Sequence, residues 1–94
     1  DQGEPMSEFG LYQNMPNPFG AETVIGFKLP AAMEGMLEFK DISGRTILLK
    51  EGSFNKGYNE VRLKANELPA AGVYFYSLHA GPFTATKKMI LVNK

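Results

Sequence analysis

Ninety-four residues with ten acidic and ten basic side chains, one histidine, no cysteine and no tryptophan set narrow limits. Such a chain makes one domain with one modest core, forms neither a disulfide nor a cysteine-based zinc site, and lacks the basic excess that a nucleic-acid-binding surface needs. It contains no apolar run near the roughly 18 residues of a membrane-spanning helix.

Residues 1–10, DQGEPMSEFG, are acidic and broken by glycine and proline, which is linker composition. A short strand is expected at Phe9–Tyr12. The stretch LYQNMPNPFG (11–20) then sets Pro16 and Pro18 around Asn17. Each proline fixes its own φ, removes a donor and pushes the residue before it towards extended geometry. A segment of this kind crosses between sheets or lies along an edge. Asn14 and Asn17 suit Asx turns, and Phe19 is placed to plug an open end.

From residue 22 onward the apolar period is two. In ETVIGFKL, Thr23, Ile25, Phe27 and Leu29 share a face. In EGMLEFKD, Leu37 and Phe39 oppose Glu34, Met36, Glu38 and Lys40. In RTILLKE, Ile47 and Leu49 are expected to face inward, opposite Thr46, Leu48 and Lys50. In GYNEVRLKA, Val61, Leu63 and Ala65 oppose Glu60, Arg62 and Lys64. Each reads as a half-buried strand, and none carries the i, i+3, i+4, i+7 stripe of a helix.

The breaks between strands are turn chemistry: LPAAM (29–33), DISGR (41–45), NKG (55–57), LPAAG (68–72) and AGPF (80–83), the last with Pro82 expected to open the final strand. Gly44 is expected at positive φ, with Arg45 opening the next strand. About seven antiparallel strands at such spacing predict an all-β, immunoglobulin-like β-sandwich of two sheets. Residues 1–47 carry seven acids against three bases and residues 48–94 the reverse. A sandwich interleaves the two halves, so no dipole follows.

Two late stretches are apolar on both faces. In GVYFYSLHAG (72–81), Val73 and Phe75 share one face and Tyr74, Tyr76 and Leu78 the other. This is either a central strand covered by a loop such as the proline-rich segment, or an exposed aromatic patch for a partner. In TKKMILVNK (86–94), adjacent lysines point to opposite faces, so Lys87 and Lys88 do not form one basic patch. Such a strand is either a last strand with charges that discourage edge pairing or a terminal tag read by a receptor.

Enzymatic chemistry is not legible. His79 is the only histidine, so a metal site finds no ligand set and a rim position explains it. Ser7, Ser43, Ser53 and Ser77 have no nucleophile-elbow context, and outer-face solvation explains Glu34 and Glu38. No catalytic residue, cofactor or metal is expected.

Four stretches in order, LYQNMPNPFG (11–20), DISGR (41–45), LPAAGVYFYSLHAG (68–81) and FTATKKMILVNK (83–94), resemble the type A C-terminal sorting domain of the bacterial type IX secretion system, a family related in fold to the flagellar hook-cap immunoglobulin-like domain. The resemblance covers residues 11–94. It implies a non-catalytic signal at the C-terminus of an exported cargo protein, recognised in the periplasm, directed across the outer membrane by the secretion machinery, and then removed by a sortase-like component. The cargo would finish at the cell surface or be released. On that likeness Asp41, Gly44 and Arg45 match the family's turn motif, Gly72, Val73 and Tyr74 its Gly-x-Tyr motif, and Lys87 and Lys88, with the apolar tail, its terminal signal; Lys94, in an ending longer and more polar than the family's common one, is a further recognition candidate. Tyr76 joins them as a recognition candidate from its aromatic face. A chain that lacks an initiating Met and ends in a coherent strand is expected to be the C-terminal piece of a longer protein. The competing expectations are a carbohydrate-binding sandwich, for which Tyr12, Tyr58, Tyr74 and Tyr76 would have to supply the platforms that tryptophan commonly provides, and a structural spacer.

Overall fold

The computed structural model describes residues 8–92. Seven strands run in the order β1 (Gly10–Leu11), β2 (Glu22–Leu29), β3 (Met33–Lys40), β4 (Thr46–Phe54), β5 (Gly57–Lys64), β6 (Gly72–Ala80) and β7 (Phe83–Leu91), with a 3-10 turn at Ala65–Glu67. They form two antiparallel sheets, β1-β2-β5 and β4-β3-β6-β7. Lettered in sequence, an immunoglobulin-like sandwich places its first, second and fifth strands in one sheet and its third, sixth and seventh in the other. The same division holds here for those six strands; the fourth, which the constant-type sandwich keeps with the first sheet, pairs instead with β3 in the second.

The period-two pattern becomes the core directly. Ile25, Phe27, Leu29, Leu37, Phe39 and Leu63 are fully buried, and Ile47 and Val61 are half-buried against them. Phe54 continues β4 and meets Phe27 edge-on, with ring centroids 4.9 Å apart.

Leu49 departs from the expected inward set: it is 49% exposed. The cause is a β-bulge. Phe39 pairs with Leu48 but Lys40 pairs with Thr46, leaving Ile47 as the extra residue. A bulge changes which face each following side chain takes, so Leu48, not Leu49, packs against the core. A smaller correction concerns Pro82, which lies in the β6–β7 turn, one residue before the strand. Gly81 at φ 57° followed by proline gives the sign pattern of a type II′ hairpin.

Residues 13–19 do cross between the sheets. Met15 bridges Val24 of β2, and Phe19 makes a parallel bridge to Leu91 of β7. The Met15–Pro16 and Asn17–Pro18 peptides are cis. Phe19 is buried at the end of the sandwich. Asn14 makes the expected local bond, its Nδ2 donating to the Pro16 carbonyl (3.1 Å). Asn17 instead reaches across to the last strand, where its Oδ1 accepts from the Ile90 amide (3.0 Å).

Candidate recognition surface

The turn at 41–45 is built from one carboxylate. Asp41 Oδ1 accepts from the Ser43 amide (3.0 Å), the Ser43 hydroxyl (2.6 Å) and the Arg45 amide (3.1 Å). The Gly44 amide donates to the Asp41 carbonyl and the Asp41 amide to the Arg45 carbonyl. Gly44 sits at φ 92°, which only glycine adopts without strain. The Ser43 hydroxyl and the backbone amides hold the Asp41 carboxyl below its ordinary value. Asp41 and Gly44 thus shape the turn, while the Arg45 side chain is 76% exposed. Ile42 beside it is 74% exposed. That apolar residue at a turn tip is a candidate that the sequence reading passed over, although an isoleucine between Asp and Ser-Gly breaks the polar habit of turns.

Gly72 opens β6 at φ 149°. Two residues on, the Tyr74 ring is buried and its hydroxyl donates to the Ala70 carbonyl (2.5 Å), pinning the preceding loop to the strand. Tyr76 is completely buried; its hydroxyl donates to the Tyr12 carbonyl (2.7 Å) and accepts from the Asn14 amide (2.9 Å). Burial pushes its phenol up to about 12, against a small opposing effect of the Asn14 amide. Neither ring is on the surface: β6 is the central strand that the first of the two readings expects, and the alternative, an exposed aromatic patch, does not hold for Tyr74 and Tyr76. The two tyrosines face the core, and the proline-rich segment is tied down by one of them.

Lys87 and Lys88 point to opposite faces, as expected: Lys87 is half-buried on the side of Met89, and Lys88 is exposed on the outer face. Lys94 lies outside the described residues. Pairing places Lys40 opposite Phe75 and Phe75 opposite Lys88. The two lysines therefore flank Phe75 in one row across three strands, roughly 10 Å from end to end at about 4.8 Å per strand. Val73 pairs with Ile90 in the next row, and Gly72 with Leu91. The register thus brings the 41–45 turn, the start of β6 and the end of β7 to one end of the four-stranded sheet.

His79 is not a free rim residue. On the outer face of that sheet its Nε2 lies 3.0 Å from Glu38 Oε1. Bonds from Thr46 and then His79 hold the Glu38 carboxyl below its ordinary value. Among the described residues no group of three His, Asp or Glu side chains is arranged to hold a metal. Of the four tyrosines proposed as glycan platforms, only Tyr12 and Tyr58 remain at the surface. Their ring centroids are 6.2 Å apart on the outer face of the three-stranded sheet.

Among curated proteins no sequence matches the chain. A family model described as the secretion system C-terminal sorting domain matches residues 14–93, a span that takes in the crossing segment, the 41–45 turn, the Gly72–Tyr74 corner and the whole of β7. The chain therefore belongs to the family of C-terminal sorting domains of the type IX secretion system.

Proposed function

We propose that this domain is the non-catalytic address label of a cargo protein joined to its N-terminal side. The outer-membrane type IX machinery reads the label as the cargo passes through the periplasm, and a sortase-like component then removes it within or just before residues 1–10. The family match over residues 14–93 carries this reading. The gathering of Arg45, Ile42, Lys88 and the end of β7 at one end of the sheet supports it. A reporter fused ahead of residues 1–94 tests it in a host with this secretion system. The reporter should reach the cell surface or medium, and should stay in the periplasm when the channel is deleted. Periplasmic retention in both hosts overturns the reading. Mass spectrometry of the exported reporter should find the domain gone; an intact domain, or a cut inside a core strand, overturns the processing step.

The exposed Tyr12–Tyr58 pair favours one second reading, a glycan platform. Loss of glycan binding with export intact in Tyr12→Ala/Tyr58→Ala would support it over the first.

A further inference from the structure

The outer edge of β7 is divided in two. Its C-terminal half is occupied by the crossing segment. The Lys88 carbonyl accepts from Gln13 Nε2 (2.7 Å), the Ile90 amide donates to Asn17 Oδ1, the Ile90 carbonyl accepts from the Phe19 amide (3.0 Å), and the Val92 amide donates to the Phe19 carbonyl (2.9 Å). These are the backbone groups of alternate residues, the ones that point away from β6. The same alternation, unbroken by any register shift along β6–β7, turns the amides and carbonyls of Thr84 and Thr86 outward as well. Among the described residues nothing bonds to them. Protection is confined to the ends of this stretch, where Phe9 stacks on Phe83 and Lys87 and Lys88 carry charge; Thr84, Ala85 and Thr86 between them are uncharged and not proline, and no bulge twists the strand away.

We propose that the export machinery docks by adding an extended strand of its own to this open half, Thr84–Lys88, continuing the row of bonds that the crossing segment begins. The molecule itself shows the kind of occupant this edge accepts, because in the neighbouring half the backbone of Phe19 already forms a parallel bridge to Leu91 of β7. Main-chain bonds supply the affinity in such an addition, and side chains beside the edge supply the selectivity. Lys88, exposed at the junction of the two halves, favours a partner strand that carries a carboxylate there. This inference rests on the sorting function proposed above and names how the label is read.

Proline separates the two halves. At Thr86 it removes only an outward donor and keeps every bond to β6, and edge strands tolerate it there. At Ile90 it removes a donor that Asn17 uses. Thr86→Pro and, separately, Thr84→Pro should melt within a few degrees of the parent domain yet lose at least tenfold of reporter export. Ile90→Pro should melt clearly lower. In the parent domain the Thr84 and Thr86 amides should exchange with deuterium far faster than those of Ala85 and Lys87. Undiminished export of either folded proline variant overturns the proposal. So does unfolding by both, which would show those amides bonded within the fold, and so does slow exchange at both positions. If the parent reporter is not exported at all, the sorting function fails first, and the exchange rates still judge the edge.

Discussion

Gly44 and Tyr76 show how differently two motif residues can matter. At Gly44 a Cβ would meet nothing within 4 Å, so a substitution costs backbone strain alone. Gly44→Val should destabilise by about 1–3 kcal/mol, and Gly44→Asn by much less, because asparagine tolerates the left-handed region. Chemical denaturation of the two variants checks this; equal losses would refute it. Tyr76→Phe keeps the ring but strands the Asn14 amide and the Tyr12 carbonyl. An unsatisfied buried group costs about 1–3 kcal/mol, which in a domain of this size lowers Tm by roughly 4–8 °C per kcal/mol. A melt unchanged in Tyr76→Phe would show that the hydroxyl does not hold the crossing segment. Arg45→Ala belongs to another class: it should fold normally, and any loss of export then reports a contact with the machinery.

Strand by strand, the sequence was most legible where alternation ran unbroken. In β2 and β3 the inward residues follow from the sequence because a period of two leaves no choice of face once one residue is buried. β4 defeated the same logic at Ile47, since TILL offers apolar residues in either parity and nothing local marks a bulge. The difference is measurable. Leu49→Lys should change stability by no more than about 0.5 kcal/mol, helped by Glu38 directly opposite. Leu48→Lys should cost clearly more, because its side chain packs on the core. If the two variants melt alike, the bulge is misplaced. The candidate surface was less readable than the fold. The motif residues were visible, but whether each shapes a turn, fills the core or faces solvent depends on register between strands distant in sequence. For Tyr74 and Tyr76 the sequence leaves core and binding face both open, because alternation cannot say which side of a two-faced strand is inside.

As a whole the domain balances its charges in a few exposed clusters, and this sets its acid response. Glu38 is held low by Thr46 and His79, and Asp41 by Ser43 and the Arg45 amide. Burial pushes Glu67 up, but Lys50 and the Lys64 amide outweigh it and leave that carboxyl low. Each group therefore adds stability that is present above its ordinary value, 4.5 for the glutamates and 3.8 for Asp41, and is lost as the pH falls through the lower folded value. Urea midpoints should stay level near neutrality and drop below about pH 4.5. Glu38→Gln should flatten part of that drop; an unchanged profile would show that the Thr46 and His79 contacts of Glu38 add nothing.

The bridge between Phe19 and Leu91 carries a consequence for timing. The slot that receives Phe19 is completed by one of the last residues of the domain, and the core row of Tyr74 and Met89 needs the same strand. Synthesis delivers β7 after the other six strands, so the sandwich closes only once β7 has emerged. A truncated product ending at Gly81 would leave Phe19 without Leu91 and Tyr74 and Tyr76 without their β7 partners Met89 and Lys87, and should remain unfolded by circular dichroism, whereas the full domain folds. A domain built this way checks its own completeness: a chain cut short before β7 presents no folded sandwich.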